Sequence, residues 1–308
     1  MGKTKIAIVG IGGVGGYYGG LLAAHYEKNP DFEVSFVARG EHLKKIKENG
    51  LTVITETSSF IARPTVATDN ASELGTLDYI ILASKSYDLE ATVEQIKPCI
   101  GPDTVILPLL NGIDNTERIR ALLHGTEVWS GCVYIVGRLN EPGVVESSGG
   151  VHDLFFGYNN TTSEKLLFFE KVMKAAGIKA IFSEKILTVI WKKFFFISIT
   201  ATLTSYFNVG FRDLLTDELR KATLMRLMDE LLSVAVAEKS ELTEAIKKTT
   251  IQSIERLPFG TTSSMHTDFS VGKSTELDTL CGVVIKTGAK HGIALPLYQK
   301  IFSELKNR

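Results

Sequence analysis

The chain is poor in the features that would commit it to several common classes. Its three cysteines, Cys99, Cys132 and Cys281, are odd in number, widely spaced and without a C-x-x-C pair. They suggest neither a disulfide framework nor a zinc or other metal site, and the expected setting is a reducing cytoplasm. No charge excess exists either: 34 basic against 35 acidic side chains leave a net charge of −1, with no long run of one sign. The electrostatic case for a nucleic-acid or acidic-membrane partner falls away. Long apolar runs are missing as well. The N-terminal one, behind Lys3 and Lys5, is broken by Gly10, Gly12, Gly13, Gly15 and Gly16, a density that suits a loop and not a signal-peptide helix. From Phe194 to Phe207 the run is too short and too rich in serine and threonine for the ~20 residues a bilayer requires. The expectation is a soluble protein that does not span a membrane.

What is present is length and pattern. A chain of 308 residues exceeds what one core usually supports, so two domains are expected. Lys5–Val9 is a β-branched run of the kind buried on both faces of a parallel sheet. It ends in Gly10-Ile11-Gly12-Gly13-Val14-Gly15, a complete G-x-G-x-x-G between that strand and a helical pattern over 17–26. Glycines there let the backbone turn and approach a pyrophosphate, and a helix start offers it free N–H groups. A glycine-rich turn without ligand is the bland alternative, which the strand and helix on either side disfavour.

The second strand, Glu33–Ala38, ends in Arg39-Gly40 where an NAD enzyme would carry a carboxylate for the ribose hydroxyls. An arginine there pairs with a 2′-phosphate, which favours NADP(H), although a plain surface arginine has the same sequence. Further strands are expected over 78–83 and 104–107. The first runs into Ser84-Lys85-Ser86, at the strand end where open α/β sheets bind ligands, so Lys85 either faces the cofactor or is a solvated loop lysine. The second leads to Asn111-Gly112, whose amide either holds a ribose or substrate or merely makes a turn. Strands over 127–157 are expected to join the same sheet in antiparallel fashion, followed by a helix over 161–176 and a last strand over 178–182.

Beyond Ser183 every pattern is helical, which predicts an α/β domain over 1–183 and an all-helical domain over 184–308, with the active site in a cleft between them. Within the helical part, Trp191-Lys192-Lys193-Phe194-Phe195-Phe196 sets two lysines against an aromatic run. A helix apolar on every side is buried, and an unpartnered buried ammonium costs several kcal/mol, so Lys193 is expected in a polar pocket. Ser263-Ser264 and Glu276 are the other polar features, each of which helix capping alone would also explain.

Taken together, Gly10–Gly15, Ala38-Arg39-Gly40, Ser84-Lys85, Asn111-Gly112, Trp191-Lys192-Lys193, Ser263-Ser264-Met265, Thr275-Glu276-Leu277-Asp278 and the segment Lys290–Pro296 resemble the ketopantoate reductase (2-dehydropantoate 2-reductase) family over nearly the whole chain. The resemblance implies a Rossmann-type dinucleotide-binding domain followed by a helical substrate domain, and NADPH-dependent reduction of a 2-oxo acid, ketopantoate to pantoate, in pantothenate and coenzyme A biosynthesis. It implies Lys193 as general acid, Glu276 on the substrate hydroxyl, Ser264 on the carboxylate and Asn111 orienting substrate and cofactor. Gly10, Gly12, Gly13, Val14, Gly15, Arg39 and Lys85 would hold NADP(H), and a homodimer is compatible with the chain. One departure stands out. Where the family carries asparagines one and two helical turns after the lysine, this chain has Ile197 and Ala201, with Thr200 and Thr204 nearby to supply hydrogen bonds. The expected substrate is therefore less polar at one end.

Overall fold

β1 (Thr4–Val9) is apolar without a break from Ile6 to Val9 because both its faces are buried there: Ile6 and Ile8 enter one core cluster and Ala7 and Val9 another. The computed structural model describes residues Gly2–Arg308 and divides into two compact units. The first is the chain up to Leu110 together with Asn115–Ile186, and the second is Asn111–Asp114 with Leu187–Arg308.

In the first unit β1 is followed by α1 (Gly13–Tyr26), β2 (Phe32–Val37), α2 (Gly40–Asn49), β3 (Leu51–Ile54), β4 (Ser59–Ala62), β5 (Val66–Thr68), β6 (Leu77–Leu82), α3 (Leu89–Ile96), β7 (Ile100–Pro108), α4 (Asn115–Leu122), β8 (Glu127–Val128), β9 (Ser130–Glu141), β10 (Val144–Gly157), α5 (Glu164–Ala175) and β11 (Lys179–Phe182). Six strands make a parallel sheet in the order β5-β2-β1-β6-β7-β8. This is the doubly wound order of dinucleotide-binding sheets, and it brings the ends of β1, β2 and β6 side by side.

The long strands after residue 127 do not extend that sheet as the pattern suggested; only two-residue β8 does. β9 and β10 instead form an antiparallel hairpin in a second sheet, in which β10 also pairs in parallel with β3 and β11, and β4 flanks β3. The cause lies in α1, which has the parallel sheet on one side and the second sheet on the other. A Cβ at Gly19 would meet Ile8 and Phe36 of the parallel sheet, while one at Gly16 or Gly20 would meet Val145 or Val53 of the second sheet at 2.6 and 2.5 Å. Buried Val145 and Val53 thus find their apolar partner on a helix, not on a sheet edge. Interior glycines cost a helix about 1 kcal/mol each, and the close approach of two sheets offsets that.

The second unit is helical throughout: α6 (Ile186–Phe207, of which Ile186 belongs to the first unit), α7 (Glu218–Ala237), α8 (Ala245–Arg256), α9 (Ser264–Ser270), α10 (Val283–Lys290) and α11 (Pro296–Lys306). Among the described residues α6 is the one helix long and apolar enough to cross a membrane; here Trp191, Phe194, Phe195, Ile199 and Leu203 supply the unit's core. The helical pattern over 276–291 is not one helix: Asp278–Gly282 is a π-helical turn and α10 starts only at Val283. Such wide turns accommodate one extra residue and recur near functional sites.

Candidate functional site

Each unit carries one group of the residues that the sequence singles out. In the first unit the glycine loop joins β1 to α1, and its glycines have separable reasons. Gly10 has φ +92°, where an L side chain is strained, and its Cβ would press on the backbone of Ser84 at 2.7 Å. Gly13 abuts the backbone of Gly137 in β9, leaving no room for a Cβ. Gly12 differs: its φ is −89° and nothing lies within 4 Å of a Cβ built there. Gly12 is also the N-cap of α1, with no side chain capping the helix and no acidic residue in its first turn. An open backbone approach in front of an uncapped helix start is what a dinucleotide pyrophosphate requires, so the residues present fit that group.

The ends of the neighbouring strands supply cations. Arg39, just past β2, is the N-cap of α2; its side chain is 77% exposed and pairs with Asp88 at 3.2 Å. Lys85, exposed just past β6, caps the short 3₁₀ turn Ser86–Asp88. β2 and β6 flank β1 on either side, so both cations stand beside the glycine loop. Sequence reasoning missed a third contributor. His42, on the first turn of α2, bonds the carbonyl of Ile11 through Nε2 at 2.7 Å and receives the Gly143 amide at Nδ1 at 2.8 Å. A single histidine in a polar helix gives no signal of this.

In the second unit three predicted residues meet. Lys193 on α6, part-buried, donates from Nζ to Oδ1 of Asn111 at 2.8 Å, and Asn111 Nδ2 donates to Oε2 of Glu276 at 3.4 Å. An amide is suited to stand between opposite charges: its oxygen faces the ammonium and its NH₂ faces the carboxylate, so the charges themselves fix its orientation. Glu276 is 5% exposed, immediately ahead of the π turn whose N-cap is Leu277. A carboxylate that deep is stable only with donors around it. Lys192, one residue from Lys193, points out and is exposed, so the aromatic run buries just one of the two lysines.

The serine pair divides similarly. Ser263 is buried and is the N-cap of α9, accepting from the His266 amide at 3.1 Å while its hydroxyl meets that of Thr204 at 2.9 Å. Ser264, the next residue, is exposed. Thr200 is buried and donates to the Phe196 carbonyl at 2.7 Å; Thr204 donates to the Thr200 carbonyl at 2.8 Å. Both hydroxyl protons are thus engaged along α6 itself. Ile197 and Ala201 follow Lys193 by four and eight residues, so the helix face that carries the amine continues as hydrocarbon. Along that face the Lys193 ammonium, held by Asn111 from the segment after β7, is followed by half-buried Ile197 and buried Ala201.

Comparison with known proteins agrees over both units. The ketopantoate reductase PanE/ApbA family model matches residues 6–161, and the ketopantoate reductase PanE/ApbA C-terminal model matches residues 185–308. The chain is 30% identical over 98% of its length, and 98% of the relative's, to the uncharacterized oxidoreductase YkpB of Bacillus subtilis. Among solved structures it is similar to 2-dehydropantoate 2-reductase from Porphyromonas gingivalis W83, with 36% identity, TM-score 0.86 and coverage of 98% and 99% of the two chains. It is also similar to D-mandelate dehydrogenase in its ternary structure with NADH and anilino(oxo)acetate, with 25% identity, TM-score 0.86 and coverage of 99% and 98%.

Proposed function

The chain belongs to the ketopantoate reductase family of oxidoreductases, and from that premise we propose that it reduces a 2-oxo acid with NADPH, with ketopantoate as the first substrate to test. The observation that carries the reading is the polar line Lys193–Asn111–Glu276 set into an apolar helical core. The dinucleotide, when bound, supplies the hydride. Gly10, Gly12, Gly13, Val14 and Gly15 hold its pyrophosphate, and Arg39 with Lys85 holds the 2′-phosphate.

The rest of the chemistry falls to the chain's own side chains. Hydride addition to a ketone builds negative charge on the oxygen, and the Lys193 ammonium both stabilises that charge and gives it a proton, leaving a neutral amine for solvent to recharge. Asn111 accepts from Nζ through Oδ1 and so holds the ammonium in place. Glu276 accepts the substrate's hydroxyl, and Ser264 takes its carboxylate.

A second reading concerns the substrate alone. Ile197 and Ala201 offer no hydrogen bond, and the hydroxyl protons of Thr200 and Thr204 are engaged by backbone carbonyls. A wall of this kind favours an oxo acid with an apolar side chain, and the similarity to a dehydrogenase of mandelate, an aromatic hydroxy acid, points the same way. Steady-state rates on a panel of aliphatic, hydroxylated and aromatic 2-oxo acids decide between the two. Lys193→Ala should lower NADPH oxidation by at least ~10² with cofactor affinity nearly unchanged, and an undiminished rate removes Lys193 from the mechanism. Arg39→Ala should weaken NADPH binding far more than NADH binding; equal losses refute the 2′-phosphate assignment.

A further inference from the structure

The two ring nitrogens of His42 are both committed to backbone. Nδ1 faces the Gly143 amide, which can only donate, so Nδ1 is the acceptor and Nε2 carries the hydrogen that goes to the Ile11 carbonyl. Ile11 lies inside the glycine motif, between Gly10 and Gly12, and Gly143 is the turn of the β9–β10 hairpin, itself at φ +85°. One imidazole therefore ties the dinucleotide loop to the second sheet. The same hairpin touches the loop at another point, Gly137 against Gly13. Between them these contacts hold the loop at Ile11 and Gly13, on either side of Gly12, where nothing lies within 4 Å of a Cβ.

We propose that His42 is a positioning residue for the dinucleotide: its neutral imidazole ties the Ile11 carbonyl to the Gly143 amide of the hairpin and so presents the loop in its binding shape, and protonation of the ring cuts that tie at Gly143. The proposal rests on the dinucleotide reading of the glycine loop. An imidazolium carries hydrogens on both nitrogens, so Nδ1–H would face the N–H of Gly143 and that bond must break, while Nε2–H keeps the Ile11 carbonyl. The ring resists that change, since burial holds its pKa below the ordinary histidine value and outweighs the opposing hydrogen bond to the Ile11 carbonyl. No charged side chain contributes to that shift. On the elements that meet at the ring, the charged groups are Arg39, paired with Asp88, and, on α2, Lys44 with Glu41, Lys45 with Glu48, and Lys47. The hairpin adds Glu141 and the Arg138–Glu146 pair, and the glycine loop has none.

Two substitutions separate the ring's two bonds. His42→Asn keeps an acceptor near the Nδ1 position but cannot reach Ile11, whereas His42→Gln places an amide N–H near the Nε2 position and cannot be protonated. Calorimetric titration with NAD⁺, which has no group titrating between about pH 5 and pH 8, and with NADP⁺ measures affinity without turnover. At pH above the histidine range each variant severs the tie at one end, and both should weaken NAD⁺ and NADP⁺ about tenfold or more. On acidification the wild-type affinity for NAD⁺ should fall toward theirs while both variants stay flat, with amide exchange over Gly10–Gly16 quickening in the wild type alone. Wild-type binding that is indifferent to pH, or either variant binding like wild type, overturns the role of His42 while leaving the dinucleotide reading intact. A wild-type chain that binds neither nucleotide removes both.

Discussion

The glycine loop shows how far a motif must be taken apart before its residues can be told from one another. Gly12 is a motif glycine and its neighbour Gly13 fills a variable position, yet it is Gly12 that fronts open space and Gly13 that touches the backbone of β9. Gly12→Ala should leave the first unit folded, within about 1 kcal/mol of wild type, because its φ of −89° suits any residue, and should abolish or severely weaken dinucleotide binding. Gly13→Ala should damage the fold itself, since a methyl there must displace the strand carrying Gly137. Denaturation midpoints beside nucleotide titrations check the pair; similar stability losses in both variants would contradict the assignment. Lys193, Asn111 and Glu276 were legible as separate polar residues, because burying an amine or a carboxylate in apolar surroundings calls for a reason. Their meeting on one amide was not, since 82 and 165 residues separate the bonded pairs. The engagement of Thr200 and Thr204 by their own helix was equally hidden.

Among elements, β1, β2, β6 and β7 and the helices of the second unit were readable from runs and periodicity, for each has a local cause, whereas β5 and α3 were not. The second sheet was not, because β10 takes β3 and β11 as partners on one edge and β9 on the other, and none of these choices has a local signature. The break before α10 was invisible for the same reason, as the apolar pattern continues through the π turn. α11 offers an element whose support is far from it in sequence. Pro296 has no N–H, Gln299 donates to Leu295, and the two amides between them, Leu297 and Tyr298, both donate at 2.9 Å to the carboxylate of Glu230 on α7. Glu230→Ala leaves the fully buried Tyr298 amide without an acceptor and should lower the stability of the helical unit by about 1–3 kcal/mol, with Glu230→Gln intermediate. Urea unfolding followed by tryptophan fluorescence from Trp191 measures it.

Across the whole molecule, acid should act in two steps. His42 and His266 have pKa values lowered chiefly by burial, so the folded state favours their neutral forms; the stability they contribute is complete above 6.5 and is lost as pH falls through the lowered values. Glu90, Glu170 and Glu238 are held below 4.5. Burial, the largest single influence on each, pushes upward, but hydrogen bonds from Arg118, from the Phe182 amide with Lys174, and from His291 with Lys290 together outweigh it. Their contribution is complete above 4.5 and is lost as pH falls through the depressed values. Thermal midpoints should therefore hold steady down to about 6.5, decline, and decline again more steeply below about 4.5. A midpoint that is level from neutrality to 4.5 would refute the histidine step.

Asn111–Asp114 belongs by its contacts to the helical unit, although the chain reaches it from the end of β7 and returns at once to α4. The chemistry of the helical unit is for that reason not a cassette. A gene cut at residue 186 and spliced to another cofactor-binding partner would carry Lys193 and Glu276 across and leave Asn111 behind, so descendants of such a fusion would inherit the ends of the polar line without its middle. Recombination keeps the line whole only where the recipient already carries an asparagine at the corresponding position after β7.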